Sequence, residues 1–390
     1  MEPRAIIAGG GIAGLAAALA VSRAGFRVSI YESANALDEF GAGLQLTPNA
    51  TRVLAGLGAL EQVLRFGSTP RSVRVLRGSD DSELMRMPLD DAERRWGAAY
   101  LAIHRADLQR ALLGTVHQLS GVEVTLGATV LDFANDKGRL SVGVARGLTQ
   151  TRDHADLLIG ADGLRSRVRD QLGFGARDQA EFSGRVAYRA IVSVDDASPP
   201  RRQKDIVLRL GSEAHLVQYA LRGGSIMNLV ATVASALPPG GGDGASNRSI
   251  LQRAFMGWSK EARLLMEAPV QWRAWPLYHR SPIASFSLGL VALVGDAAHP
   301  MVPFLAQGAA QAIEDAGALA RVLAQAQDIP AALLLYSRDR AARAGRVQLK
   351  ALRLGRIYHM SGPFAFARDA TMRLLGSRGL TGRYDWLYRA

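Results

Sequence analysis

The sequence predicts an α/β fold: a Rossmann-like domain, a β-sheet domain inserted into it, and a C-terminal helical segment. Three features carry that prediction. Residues 4 to 32 hold an apolar run, a glycine turn, an Ala/Leu-rich stretch and a second apolar run, the length of one strand–helix–strand unit. Residues 184 to 275 change to segments that alternate with a period of two, as half-buried strands do. Leu288 to Val294 is wholly apolar, the mark of a strand buried on both faces, and an Ala-rich helix is expected from about Gly308.

Taken in order, Arg4–Ala8 reads as a strand stopped by Gly9-Gly10-Gly11, Ile12–Arg23 as a helix closed by Gly25, and Phe26–Tyr31 as a second strand ending at Glu32. Glu61 to Arg94 turns to short alternating segments such as Ser72–Leu76. Asp107–Leu119 is then expected as a helix, with Val122–Leu126 and Leu140–Ala145 as strands. Asp156–Ile159 is a further apolar strand running into Gly160-Ala161-Asp162-Gly163. In the insertion, Ile206–Leu210, Leu216–Leu221 and Ser225–Val233 read as strands, and Pro238–Gly244 as a turn. The tail from Ser337 is helical in composition, and no internal repeat emerges. The expected division is 1–72, 97–180 and 276–338 for the Rossmann-like domain, 73–96 and 181–275 for the inserted sheet, and 339–390 for the terminal helices.

Composition bounds the function. The 390 residues leave room for two or three domains, and 48% hydrophobic with 21% charged residues is ordinary globular usage. With no cysteine, disulfide scaffolds, Cys-ligated metals and thiol nucleophiles are excluded; a reducing compartment, the cytoplasm, is the expected location. Ala5–Val21 is apolar enough to imitate a signal peptide, but Glu2 and the glycines at 9, 10, 11 and 14 assign it to the folded domain. No other run is long enough to span a bilayer. The formal charge of +12 is concentrated in the tail, where eleven Arg and one Lys face three Asp after residue 337. Arginines at 338, 340, 343, 346, 353 and 356, with Leu, Ile and Ala between them, have the spacing of a solvated helical face. Nucleic-acid binding is therefore not expected, nor membrane association; part of the field would steer an anion.

Gly9-x-Gly11-x-x-Gly14 lies between the first strand and the first helix, and Glu32 follows 18 residues after the last glycine. The first glycine allows the tight turn, the second lets the backbone approach a pyrophosphate, and the third allows close helix–strand packing. Unpaired N–H groups at the helix start, around Ile12, Ala13 and Gly14, would meet the phosphates, and Glu32 would accept hydrogen bonds from a ribose. FAD and NAD both satisfy this pattern.

Three further segments divide them. Asp156-Leu-Leu-Ile-Gly-Ala-Asp162-Gly163-Leu-Arg-Ser-Arg-Val-Arg169, Gly295-Asp296-Ala-Ala-His299-Pro300 with Gly308 and Glu314-Asp315 beyond it, and His104-Arg105-Ala-Asp107-Leu108 together resemble the single-component FAD-dependent aromatic hydroxylases. Gly41-Ala-Gly-Leu-Gln45-Leu-Thr-Pro-Asn49 and the closing Asp385-Trp386-Leu387-Tyr388 bring the likeness nearer to the salicylate, 3-hydroxybenzoate and 6-hydroxynicotinate branch of that p-hydroxybenzoate hydroxylase-like group. The resemblance runs from residue 4 to about 345. It implies bound FAD, NADH or NADPH and O2 as co-substrates, and oxygen transfer through a flavin C4a-hydroperoxide to an electron-rich ring. It places Asp296 on the ribityl hydroxyls, Arg105 near the pyrophosphate and ribose, Asp162 and Gly163 at the FAD and NAD(P)H side, Gln45 at the ring or pocket, and the helix start at Gly308 facing the flavin.

The same resemblance points to the substrate groups. His215-Leu-Val-Gln-Tyr219 is similar to a His-x-x-x-Tyr segment that carries the base, and a spacing of four on a strand sets both side chains on one face. Pro303 stands where a proline carbonyl flanks the reacting flavin atom. The neighbouring Phe304 replaces a polar residue of some relatives, which implies a more apolar ring or another anchor. Tyr188-Arg189 matches a family segment on the neighbouring strand, although Ala190 stands in place of the usual glycine. His299 is expected to be structural or to lie on the cofactor side. The expected activity is hydroxylation of a small, anionic phenolic or hydroxy-aromatic acid, without a metal, by a monomer or homodimer. Epoxidation or oxidation of a urate-like heterocycle remains open on the same scaffold. Flavin halogenation is disfavoured because Trp272-Arg-Ala-Trp275-Pro276 lacks the isoleucine before proline, and a non-catalytic binding module of the GDP-dissociation-inhibitor kind would not need both Asp162-Gly163 and Gly295-Asp296.

Overall fold

The computed structural model describes residues 2–37, 43–136, 138–174, 179–194, 204–236, 238 and 244–389. Most of the Pro238–Gly244 turn, and residues 41 and 42 of the Gly41–Asn49 segment, lie outside the described residues.

A six-stranded sheet forms the centre, in the order Ser287–Leu288, Val291–Leu293, Leu157–Gly160, Arg4–Ala8, Arg27–Glu32, Val122–Leu126. Arg4–Ala8 pairs in parallel on both sides, Ile7 lying opposite Ile159 and Ile30. Helices cover one face and the antiparallel strands Ala128–Asp136, Arg139–Arg146 and Thr149–Ala155 pack on the other, which is why the central strands read as unbroken apolar runs: Ala5, Ile6 and Ile7 are fully buried. The helix Ile12–Arg23 packs on the helix Gly308–Leu323, and its Leu15 and Leu19 have no exposed surface.

The expected strand Leu288–Val294 is two strands. Ser287–Leu288 and Val291–Leu293 form an antiparallel hairpin, and only the second joins the parallel sheet. Gly289 turns the chain with φ +58°, a region that suits glycine. An apolar run records burial and not direction, so the hairpin left no mark in the pattern. The strands Ala128–Asp136 and Thr149–Ala155 flank Arg139–Arg146 in a three-stranded antiparallel meander that sequence reading recognised only at its centre.

The inserted domain is a seven-stranded sheet ordered Arg273–His279, Glu181–Ser193, Ile226–Ala234, Ala214–Leu221, Ile206–Gly211, Ser72–Arg77, Glu83–Pro88. Its last two strands come from the early segment, and Ser72–Arg77 runs parallel to Ile206–Gly211. The sheet continues to His279, and the long helix Ile329–Tyr358 begins ahead of residue 339. The first turns of that helix belong to the central core: Leu333 and Tyr336 are fully buried, and the Tyr336 hydroxyl donates to the Leu293 carbonyl at 2.7 Å.

Of the evenly spaced tail arginines, Arg338, Arg346, Arg353 and Arg356 are exposed as expected. Arg340 and Arg343 instead turn inward. Arg340 bonds Asp315 at 2.8 Å and Glu314 at 2.5 Å, and Arg343 bonds Glu314 at 2.6 Å. Glu314 and Asp315 are buried acids on a neighbouring helix, and a buried carboxylate persists only when paired. Among the described residues no helix is long and apolar enough to cross a membrane.

Candidate active site

The three glycines of the turn stand in three different settings. Gly9 has φ +106°, and a Cβ there would lie 2.5 Å from the Ala161 carbonyl oxygen. A Cβ on Gly14 would lie 1.9 Å from the Gly9 oxygen, so this helix reaches the strand only without one. At Gly11 a Cβ would meet nothing within 4 Å: this is the open side, and no side chain caps the helix start there. Glu32 buttresses the turn, its Oε2 accepting from the Gly10 N–H at 2.6 Å and its Oε1 from Ala34 N–H at 2.8 Å.

A cleft of about 280 Å³ runs from this turn to the inserted sheet. Gly11, Ile12, Ala13, Gln45, Arg105, Gly163, Asp296, Pro303 and Gly308 line it from the central domain, and His215 and Tyr219 from the sheet. Of the residues singled out by sequence, Gly9, Gly14, Glu32 and Asp162 stay off its surface. Asp162 is occupied locally: its carboxylate accepts from the Ser166 hydroxyl and from the N–H groups of Arg167 at 2.8 Å and Val168 at 3.2 Å, at the start of the short helix Arg167–Gln171.

Asp296 is aimed by the turn that follows the buried strand. Gly295 donates its N–H to Asp315 Oδ2 at 2.8 Å, and the same oxygen accepts from His299 Nε2 at 2.6 Å. His299 is wholly buried there, a structural residue. The helix start at Gly308 is held from the other side. Its neighbour Gln307 donates to Thr47 Oγ1 at 2.8 Å and accepts from Asn49 Nδ2 at 3.1 Å, and Asn49 also donates to Glu314 at 2.5 Å. No side chain caps the Gly308–Leu323 helix, so its positive end is open to the cleft.

The sheet wall carries the remaining groups. His215 and Tyr219 share the cleft-facing side of Ala214–Leu221. The Tyr219 ring lies against Gly43, where a Cβ would come within 2.5 Å of the ring. Arg189 also lines the cleft, with its guanidinium 5.5 Å from the Trp275 ring centroid and its buried Nε without a hydrogen-bond partner. Its strand is not the neighbour expected from sequence: Ile226–Ala234 separates it from the His215 strand. Burial lowers the pKa values of both Arg105 and Arg189, the first opposed by nearby Asp296. Two guanidiniums against one carboxylate make the cleft electropositive, and it will favour an anion.

Behind His215 an apolar chamber of about 110 Å³ is walled by Met85, Met87, Leu208, Phe304 and four tyrosines, Tyr100, Tyr358, Tyr384 and Tyr388. The Tyr100 hydroxyl donates to Gln45 Oε1 at 2.6 Å, which fixes Gln45 where cleft and chamber meet. Phe304 stands edge-on to His215 at 5.5 Å and against Gly355, where a Cβ would come within 2.4 Å of its ring. His215 Nδ1 lies 2.7 Å from Nε2 of His359. Burial, His359 and Arg185 hold the His215 pKa well below its usual value, and burial raises that of Tyr219. Sequence reading missed His359 and Arg185 and gave Arg189 no role. His359 sits 144 residues from His215, just after the end of the helix Ile329–Tyr358, and no local pattern announces their meeting.

These residues fit FAD: an open glycine and an uncapped helix start for the pyrophosphate, Arg105 and Asp296 side by side beyond them, and a second open helix end at Gly308. Known proteins agree. The family model described as FAD binding domain matches residues 2–351. The 3-hydroxybenzoate 6-hydroxylase of Polaromonas naphthalenivorans is 36% identical over 387 residues, covering 98% of this chain and 95% of its own. The 6-hydroxynicotinate 3-monooxygenase of Bordetella bronchiseptica is 36% identical over 355 residues, covering 89% and 90%. Among solved structures, Klebsiella pneumoniae HpxO complexed with FAD and uric acid matches with a TM-score of 0.88 at 26% identity, covering 99% and 96%. The chain belongs to the FAD binding domain family and is one of its FAD-dependent aromatic hydroxylases.

Proposed function

We propose that this enzyme hydroxylates a small hydroxy-aromatic acid whose carboxylate is held by Arg189 and whose ring oxygen meets His215 and Tyr219. The observation that carries the reading is the single cleft that joins the cofactor cradle to that wall, with Arg189 half-buried in it and its buried Nε unpartnered. A half-buried cation with no carboxylate partner among the described residues favours an anionic ligand, and a guanidinium receives a carboxylate with two parallel bonds.

FAD, when bound, supplies the acceptance of hydride from NAD(P)H and the activation of O2. The chain supplies the placement. Gly11 and Arg105 would hold the dinucleotide end, with Glu32 fixing the glycine turn beneath it, Asp296 the ribityl chain, and the open helix end at Gly308 would favour negative charge on the flavin ring. Gln45 and Pro303 would bracket the ring where cleft meets chamber, and Gly163 lines the cofactor side. Asp162 would act on the cofactor indirectly, by fixing the loop before Gly163. Phe304 and the chamber tyrosines exclude water from the transfer site. An alkene epoxidase would have little use for His215 and Tyr219 at the ring, which favours the phenolic reading. Cytoplasmic location and a monomeric or homodimeric state complete the proposal.

The test is a screen of aromatic acids against the yellow holoenzyme, following NAD(P)H oxidation, hydroxylated product and hydrogen peroxide together. A phenolic acid that accelerates oxidation and yields product supports the reading. Acceleration with peroxide alone across all phenolic acids refutes it.

A further inference from the structure

We propose that His215 serves the ring oxygen as a hydrogen-bond donor through its Nε2–H, not as the base expected from sequence, and that His359 and Arg185 lock it in that form. The inference rests on the reading that a ring oxygen meets His215; His359 and Arg185 touch neither ring nor cofactor cleft and are positioning residues.

The polarity of the chain starts at a group that cannot change it. A guanidinium only donates. Arg185 Nε lies 3.1 Å from His359 Nδ1, so that nitrogen must offer its lone pair. A neutral imidazole carries one N–H, which places the His359 proton on Nε2. That Nε2 is 2.7 Å from His215 Nδ1, and it donates there. His215 Nδ1 is then an acceptor too, so the proton of His215 sits on Nε2, the nitrogen left to face the cleft.

The reverse order fails at its far end. A base at His215 needs a lone pair on Nε2 and a proton on Nδ1. His359 would then have to accept at Nε2 and point an Nδ1–H at the Arg185 N–H. An imidazolium at His215 would likewise set two N–H groups against each other across 2.7 Å. The surroundings keep both rings neutral: the His359 pKa is pulled down to about 3 by burial and by the cations of Arg185 and Arg368. The other rings against His215 are Phe304 and Tyr358. Arg185 is itself anchored outward, donating from its other arm to half-exposed Glu213 at 2.7 Å.

A donor with no lone pair at that position binds an oxyanion more strongly than a neutral hydroxyl, so the ring hydroxyl is expected to bind as its oxyanion. The O–H bond breaks, the proton goes to solvent, and the oxyanion accepts a charge-assisted bond from His215 Nε2–H.

Two measurements on the FAD-loaded enzyme test this. Nitrogen-15 shifts of labelled histidines, assigned with His359→Gln, should show Nε2–H and unprotonated Nδ1 for both rings through the neutral pH range; an Nδ1–H form or an imidazolium at His215 overturns the proposal. Calorimetry of 4-nitrophenol binding in buffers of different ionisation heat should show one proton released per neutral phenol bound, with the bound probe absorbing as phenolate. Phenolate without release, or a probe that stays neutral, also overturns it. Arg185→Leu should mix the tautomers and Arg185→Lys restore them, a pattern that mere loss of packing would not give. If no phenol binds, the substrate reading fails while the nitrogen shifts still decide the tautomer.

Discussion

Gly43→Ala is the sharpest test of how the two domains are fitted together. The strand Gly43–Leu46 lies against the Tyr219 ring, and a Cβ at residue 43 would sit 2.5 Å from Cε2 and 2.7 Å from the hydroxyl oxygen. Carbon contacts settle near about 3.5 to 4.0 Å, so strand or ring must yield by roughly 1 Å. The strand is tethered, because the Gly43 N–H donates to Asn228 Oδ1 at 2.8 Å on the inserted sheet. Tyr219 is buried between neighbours and has the cleft as its free direction, so the ring is expected to move into the substrate's place. Overpacking of this kind costs about 1–3 kcal/mol of stability, and a 1 Å misplacement of reacting groups about a hundredfold in rate. The assay is substrate-stimulated NAD(P)H oxidation with peroxide counted beside product, on enzyme checked for FAD content. The expected result is normal flavin content, a kcat/KM lower by one to two orders of magnitude, and a larger peroxide share. Unchanged coupling and kcat/KM would refute the placement of Tyr219 at the ring.

Arg189→Met should weaken binding of an aromatic carboxylate by about 1.5–3 kcal/mol, the loss of a charge-assisted bond, while FAD content stays constant; equal loss for a neutral phenol would show that Arg189 does not hold the carboxylate. Asp296→Ala should lower FAD affinity, read from the ratio of flavin to protein absorbance after dialysis, with little change in melting temperature of the apoprotein. Asp315→Asn removes the charge that holds His299, Arg340 and the Gly295 N–H, and should destabilise the fold by about 3–5 kcal/mol in denaturant titration. Burial alone would raise the Asp315 pKa, but His299 and Arg340 outweigh it and hold it below the ordinary 3.8. Its stabilisation is thus present above that pH and lost below it, so the gap between wild type and Asp315→Asn should stay constant near neutrality and close as pH falls below about 4.

What was legible in the sequence was whatever chemistry writes locally. Gly9, Gly11 and Gly14 declare their turn because each forbids or needs a side chain within a few residues, and Gly295-Asp296 follows a strand whose burial shows as unbroken apolarity. The period of two put His215 and Tyr219 on one face, and both line the cleft. Strand order was not legible. Whether Glu181–Ser193 neighbours Ala214–Leu221 depends on which hairpins fold back, and Ile226–Ala234 comes between them. The hairpin at Gly289 was hidden because both of its arms are apolar. Partners distant in the chain were hidden for a different reason: Arg185 and His359 meet over 174 residues, and neither belongs to a motif.

The tail's charge joins these two classes. Its arginines have the spacing of a solvated face, yet two of them end in the cofactor domain, and the consequence reaches the cleft. Arg340 pairs with Asp315, whose other oxygen fixes Gly295 and so the direction of Asp296. Arg343 pairs with Glu314, which takes the Asn49 amide that also holds Gln307 at the open end of the helix Gly308–Leu323. Arg343 further donates to the Trp386 and Leu387 carbonyls, and Arg346 and Lys350 stack on Trp386 at 4.0 and 4.6 Å, so the chain end is pinned by the same stretch. Tyr384 and Tyr388, on either side of that pinned turn, wall the chamber behind His215. A charge excess that composition would assign to solvent therefore divides in two: its outer members face solvent, and its inner members tie both ends of the cleft and the chamber behind His215 to one helix.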